Sequence, residues 1–552
     1  MYTGGQLDGG TLIWVLSLTL RGKVYRYSEA AAEVLDGATP LLIREGLLSG
    51  VEVEDRLALP GESPPEPSQE VSLIFASDDA EGWAVLAAGD LDLGDASGEL
   101  ALLLLGEDWS TREICRSGPV EAASYGALHE PVQLRISEAP WTRTSTLIPR
   151  DSEIVSPSTW PRSSSPGYSV DEGVEGVFYP EVIGAPGYRH PRAVANSYPS
   201  VPVALVEVIS PSNAAGAYVG LLGRGRLSCV GVANSVHVRN LTTAGSANIT
   251  PAVATDELGQ TVTVISISNA TLPVSPGDEL WASFLTPATG GRPSPYSSGT
   301  LRRAGEVIAY LLQESGARVD ASSLPALQAW LAPYALDFHI NEQVDPLDVV
   351  LDDLLPLFPV ALHLGADGLS LLPWRYNATA ADAIVHIDID FEGGERDGQV
   401  SRSPASEVVN HLGIEYAWHG GNRDSLQGRI VYLPSKRFSD DEQETNPYAR
   451  QSYTRYGERS AEPITTELVV DSATARGILD WQIRWRSQTR ETVRYRLGQP
   501  WQVLRPGQVV LLSGAEIGWA RRICIVVAVL RAPGDTVVEF VTVPDWVRDG
   551  SA

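Results

Sequence analysis

The stretch His386-Ile387-Asp388-Ile389-Asp390-Phe391-Glu392 puts a potential ligand at every second position. On a strand, His386, Asp388, Asp390 and Glu392 would share one face, because side chains alternate across the pleat. Carboxylate oxygens gathered in this way could hold Ca2+. A half-buried strand with a solvated polar face explains the same alternation with less. No metal and no other cofactor is therefore expected.

Nucleophilic chemistry has weaker support. Ser403, His411 and His419 fall in one region without a spacing that marks a triad. No HExxH, GxxxxGK[ST] or GxSxG occurs, and Pro131 breaks any zinc-binding helix at His129-Glu130. Gly223-Arg224-Gly225 lacks the third glycine of a nucleotide fingerprint and reads as a β-turn. With 69 acidic residues, close carboxylate pairs arise by chance and single out no acid or base. Cys115, Cys229 and Cys524 are too few and too scattered for a zinc ribbon or a disulfide scaffold. Cys524 sits in the apolar run Ile523–Leu530 and reads as a buried thiol. No catalytic residue is expected, and the chain reads as a non-enzyme.

Arginines form the remaining cluster. Arg476, Arg484, Arg486, Arg490, Arg494 and Arg496 lie on or just after a predicted helix. Nucleic acid could meet such a patch, but Asp471, Asp480 and Glu491 are interleaved with it. A solvated helix face is the simpler reading. Subunit contacts through Arg–carboxylate pairs are a third.

The elements that would position these residues are mostly strands. The 552 residues are too many for one ordinary domain, and 43% hydrophobic content is enough for packed cores. The 51 glycines and 38 prolines point to many turns. A net charge of −28 argues against a nucleic-acid clamp, which needs a basic footprint. No apolar run is long enough for a membrane span, and the first residues lack a signal-peptide pattern.

Alternation and Gly22 predict a hairpin over Leu12–Tyr27, and further strands at Val71–Phe75, Leu100–Leu105 and Thr261–Ile267. Pro60–Pro67 and Ser152–Gly167 read as loops or linkers. Ala304, Val307, Ile308, Leu311 and Leu312 predict an amphipathic helix ending near Gly316. Short helices should start at Ser323 and at Asp345-Pro346, with a hairpin through Gly365–Gly368 after them. From 380 to 545, strands resume with one helix, capped by Asp471 or Ser472.

The fold class expected is multi-domain and mainly β, with tube-like β-barrel domains and a small α+β helical domain. The expected division is 1–150, an N-terminal β domain; 151–300, a β-rich domain or insertion; 301–380, the small helical domain; and 381–552, a C-terminal β-barrel domain with one helix.

Several stretches carry a resemblance. Ser452-Tyr453-Thr454-Arg455-Tyr456-Gly457, then Asp471-Ser472-Ala473-Thr474-Ala475, then Leu504-Arg505-Pro506-Gly507-Gln508-Val509, resemble the C-terminal half of tail hub proteins of tailed phages. Gln508 stands where an acidic residue is commoner in that family. The 303–376 stretch is similar to the small helical domain of such hubs, and Glu175–Gly184 to one of their P-x-x-x-G segments. The resemblance covers the C-terminal half and hardly touches residues 1–150.

It implies a homotrimeric ring at the tail tip of a virion, made in the bacterial host cytoplasm. Partners would be the tail tube or distal tail protein, the tape-measure protein, and a fibre or spike. DNA would only pass through the lumen. Tyr453, Arg455, Tyr456, Trp481, Arg484 and Trp485 are the residues expected at a partner interface. The alternatives are a tail-associated cell-wall hydrolase and a carbohydrate-binding surface protein, the latter using some of the 14 tryptophans.

Overall fold

Apolar residues on both faces of one strand, β1 (Leu12–Leu20), set the start of the fold. The computed structural model describes residues 12–47, 53–60, 68–74, 84, 96–124, 130–137, 146–160, 168–169, 172–188, 200–209, 217–392, 394–397, 400–419, 425–433, 442–532 and 535–544. The Pro-rich segment 61–67, the part of the Ser/Pro stretch at 161–167, and the turn Pro533-Gly534 lie outside them.

Trp14, Leu16 and Leu18 of β1 point into one core, while Ile13 and Val15 enter a second. β2 (Lys23–Ser28) returns beside β1. Arg21 (φ 49°) and Gly22 (φ 77°) make the left-handed two-residue turn that a tight hairpin needs. The sheet continues with β3 (Ala32–Asp36), β4 (Thr39–Glu45), β6 (Ser68–Leu73), β7 (Ser97–Leu104), β8 (Glu113–Ser124) and β9 (Val132–Ser137). Their order is β3-β4-β2-β1-β7-β8-β9-β6. Leu47, just past β4, bridges Leu73 at the end of β6, so the sheet curls back toward its far edge. The β3–β4 hairpin covers Ile13, Val15, Leu103 and Trp109 on the outside. That covering explains why β1 shows no clean alternation.

β5 (Val53–Ala58) belongs elsewhere. It lies between the strands Val360–Gly365 and Trp519–Ala532 in a ten-stranded sheet whose other strands all come from residues 360–542. Asp55 of β5 is buried and meets two arginines. Arg116 of β8 donates Nη1–H to Asp55 Oδ1 at 2.6 Å, and Arg531 donates Nη1–H to Oδ2. Arg531 is also held by the carbonyls of Gln502 and Leu504, both at 2.7 Å. Burial alone would push the Asp55 carboxyl up; Arg531, Arg116 and His363 outweigh it and hold it below the usual carboxylate value.

Residues 168–284 form two packed sheets of five and four strands around Val203, Leu222, Val238, Ile265 and Phe284. A separate polar network joins this unit to the first helix of the helical unit. Buried Glu181 takes Arg224 at 3.0 Å and also accepts from Arg292, while Arg224 reaches Glu153 at 2.6 Å and Glu314 at 3.3 Å. Burial works against the charge on Arg224, yet Glu181, Tyr310, Glu153 and Glu314 raise its pKa. Gly184 (φ 66°) packs so closely that a Cβ would sit 2.1 Å from the Leu336 carbonyl oxygen, which fixes glycine there.

The helices expected from the sequence come next along the chain. α1 (Ala304–Ser315) ends at Gly316 in the left-handed conformation. α2 (Leu324–Trp330) packs on it. Asp345 caps Pro346–Asp348 by accepting from Leu347 N at 2.9 Å, and a π-helical turn continues over Val349–Leu354. The hairpin Val360–Gly365/Gly368–Pro373 is present, and it enters the ten-stranded sheet through β5.

The C-terminal region holds a second long helix that the sequence reading did not expect. Besides α4 (Ser472–Arg486), it contains α3 (Pro447–Tyr456), so the Ser452–Tyr456 motif is helical. The architecture is multi-domain and mainly β, with a small helical unit.

Candidate partner interface

α4 is held between two cores, which explains its mixed apolar pattern. Ala475, Ile478, Leu479 and Ile483 enter the core of α1, α2 and a four-stranded sheet. Trp481 and Trp485 enter the opposite core with Trp374, Ile525 and Val541. Asp471 starts the helix by accepting from Thr474 N at 3.0 Å. Arg484 and Arg486 fall in its last turn, where a cation is favoured by the helix dipole.

α3 lies alongside α4. Asn446 caps α3 by accepting from Tyr448 N at 2.9 Å and Ala449 N at 3.2 Å, and it also donates to Asp480 Oδ1. Tyr456 and Thr489 hydroxyls meet at 3.4 Å near the far ends.

Between these helices and the helical unit runs a chain of rings and guanidinium groups. Arg375 stands 5.0 Å from the Trp330 ring, Trp330 6.3 Å from Tyr376, and Tyr376 6.2 Å from Trp481. Arg484 lies 5.9 Å from Tyr376 and 5.1 Å from Tyr448. Trp485 packs edge-on to Trp374 at 4.9 Å and carries Arg490 at 4.8 Å. Each such contact contributes about 0.5–1.5 kcal/mol.

The expected interface residues therefore separate into two groups. Trp481 (2% exposed) and Trp485 (6%) are core residues of their own chain, and Trp481 Nε1 donates to the Leu357 carbonyl at 2.7 Å. The area of these two side chains is already buried inside the subunit. Tyr453 is 45% exposed, and Arg455 is exposed over the Tyr456 ring at 5.4 Å. Tyr456 and Arg484 are half-buried at the margin.

The motif residues make backbone contacts. Buried Asn410, which nothing in the sequence marks, donates from Nδ2 to Ser452 Oγ at 3.2 Å and to the Gly457 carbonyl at 2.8 Å, and its Oδ1 accepts from Arg459 N at 2.8 Å. Thr474 Oγ1 accepts from Ala335 N at 2.9 Å, tying α4 to the segment after α2. Gly507 (φ 87°) makes the turn after Pro506. Gln508 Oε1 accepts from Arg505 N at 2.9 Å, the contact an acidic side chain could equally make.

The candidate metal strand does not form as expected. Only Val385–Asp388 is strand; Ile389–Glu392 turns into a helical segment, so the four side chains do not share a face. His386 Nε2 contacts Ser513 Oγ at 2.8 Å, and Asp390 Oδ2 accepts from Ala515 N at 2.7 Å. Among the described residues, no group of three or more His, Cys, Asp or Glu side chains is placed to hold a metal.

Nor do Ser403 and His411 form a catalytic pair. Ser403 Oγ accepts from Arg490 N, while His411 Nδ1 contacts Glu458 and Ser460. The three thiols are buried, and burial pushes Cys115 and Cys229 up to about 12. Trp14, Trp109 and Trp160 are buried too, so they offer no face to a sugar; Trp83 and Trp141 lie outside the described residues.

No protein-family profile matches this chain, and no curated protein matches it. Solved structures do. A chain of the virion of a native gene transfer agent particle aligns with 12% identity and a TM-score of 0.39, over 71% of this chain and 90% of that one. The 43 kDa tail protein of prophage MuSo2 from Shewanella oneidensis aligns with 10% identity and a TM-score of 0.34, over 96% and 99%. The tail protein from Neisseria meningitidis MC58 aligns with 8% identity and a TM-score of 0.35, over 96% of each. These neighbours are phage-type tail and virion proteins. Likenesses this distant do not decide what the present chain does.

Proposed function

We propose that this chain is a structural component of a phage-type tail, a hub that closes as a threefold ring at the tail tip. In this reading it joins the tail tube or distal tail protein to a fibre or spike. The tape-measure end occupies the ring before ejection, and DNA crosses it afterwards. It performs no catalysis.

The observation that supports this reading best is β5. The N-terminal segment lends β5 to the ten-stranded sheet, and a buried Arg–Asp–Arg cluster ties that sheet to β8 of the first one. A subunit carrying two rigidly coupled β units is what a threefold ring with six similar positions would require. The hub-like motifs add support, because each carries a contact that fixes the C-terminal half rather than a reactive group. Tyr453, Arg455, Tyr456 and Arg484 are assigned to subunit or partner contacts.

The test is the composition of particles. Tail particles purified from the source culture should contain this chain at low, fixed copy number, and gold-labelled antibody should mark the tail tip. Particles that lack the chain while the cells make it would overturn the reading.

A further inference from the structure

A cavity of about 210 Å3 opens where the strand Leu280–Phe284 meets Pro202–Ala204 and the segment Val174–Pro180. Its interior is apolar: Pro180, Val203, Leu221 and Leu280 line it and are buried. Three side chains that are not buried bring polarity to the lining, Asp278, Glu279 and Trp281.

The two carboxylates are held in place from one side only. Asp278 Oδ2 accepts from Asn240 Nδ2 at 2.7 Å and from Ser275 N at 2.9 Å. Glu279 Oε1 accepts from Trp281 Nε1 at 2.9 Å, which fixes the indole beside it. Among the described residues, Asp278 Oδ1 and Glu279 Oε2 accept no hydrogen bond, and neither carboxylate has an ion pair. Arg239 stands opposite Trp281 across a strand pair and bonds to neither. Other acids packed against the same sheets are matched from within the chain: Glu153 and Glu181 hold Arg224 at 2.6 and 3.0 Å.

We propose that this cavity receives an arginine side chain presented by a different protein. Charge complementarity selects that occupant. Carboxylates without a cation, set beside an apolar cavity, suit a cation carried on an aliphatic stem. The stem packs on Val203, Leu221 and Leu280, and the guanidinium forks to a carboxylate next to the Trp281 ring. The volume exceeds the roughly 150 Å3 in which a buried cavity admits benzene, so one such side chain fits. A lysine has the stem but not the planar fork. A neutral sugar would leave hydroxyls without partners against the apolar interior. A phosphate is repelled by both carboxylates and by the net charge of −28.

The test is binding of blocked tripeptides to the full chain, followed by saturation-transfer NMR and calorimetry. Gly-Arg-Gly should bind saturably with a Kd of about 1 mM at low salt and more weakly as salt rises. The lysine tripeptide should bind several-fold more weakly. The citrulline tripeptide keeps the shape without the charge and should not bind. Asp278→Asn with Glu279→Gln keeps acceptors for Asn240, Ser275 and Trp281, and should weaken the arginine tripeptide at least about tenfold. Ala204→Leu leaves both carboxylates in place and fills the cavity, and should block binding as well. Unchanged melting temperatures would show that both variants keep the fold. No saturable binding, equal binding of the arginine and citrulline tripeptides, or variants that bind like the wild type would overturn the proposal. Self-association of the unliganded chain that the double variant abolishes would overturn it too, in favour of a second copy as occupant. None of these results depends on whether purified particles contain the chain, so the cavity and hub readings fail separately.

Discussion

Asp55 ties β5 to β8 and to the strand Trp519–Ala532 through two arginines. It is the only carboxylate bonded to both Arg116 and Arg531 among the described residues. Asp55→Asn removes the charge that Arg116 and Arg531 share, although Glu113 still lies 3.9 Å from Arg531, and should cost about 3–5 kcal/mol in urea unfolding. Its pKa is lowered in the folded chain, so its contribution is complete above the ordinary value of 3.8 and is lost as pH falls below it toward the depressed one. A second pH window opens earlier. Burial lowers His339 from 6.5 to about 4 and also lowers His363, where Arg116 and Arg531 add to the effect. Both must charge on unfolding, so stability should fall as pH drops from 6.5 toward 4. His339→Gln should flatten that slope in thermal melts across the window, and an unchanged slope would remove His339 as its source. None of these residues is legible in sequence. Asp55, Asn410 and Glu181 each join strands distant along the chain, and residue type alone does not reveal a long-range partner.

Elements are legible wherever one period rules. α1 is evident because Val307, Ile308, Leu311 and Leu312 keep a helical stripe and Gly316 ends it. The Asp345-Pro346 start is evident because cap and N1 chemistry are local. The His386–Glu392 alternation misleads, since period two does not reveal where a strand stops and a helical turn begins. α3 escapes a sequence reading for the opposite reason: it buries few residues, and its order comes from Asn446 at its start and Asn410 against Ser452. The close pairing of α1 with α2 gives a test at this scale. A Cβ on Gly305 would lie 2.6 Å from Gln328 Cα, a backbone atom with little freedom to move. Gly305→Ala should therefore destabilise by about 1–3 kcal/mol despite alanine's better helix propensity. A melting temperature at or above wild type would show that the two helices separate freely.

At the scale of the whole chain, the sequence indicates an N-terminal β region and a C-terminal one, and the composition of each is sufficient for that. It does not show that β5 is exchanged between them, because Val53–Ala58 has the same alternation whichever sheet it joins. The exchange makes a strong statement about integrity. Residues 12–58 supply β1–β4 to the first sheet, where β1 pairs with β7, and β5 to the ten-stranded sheet, where it pairs with Trp519–Ala532. A chain cut by an inserted protease site within the Pro-rich segment 61–67 should therefore stay whole. Both pieces should elute together on size exclusion near the uncut position and part only in denaturant. Asp55→Ala in the cut chain should bring that separation to a lower denaturant concentration, because strand pairing would remain while the buried ion cluster would not. Release of the small piece under native conditions would mean that β5 contributes little hold. It would also take away the rigid coupling of two β units on which the ring reading depends.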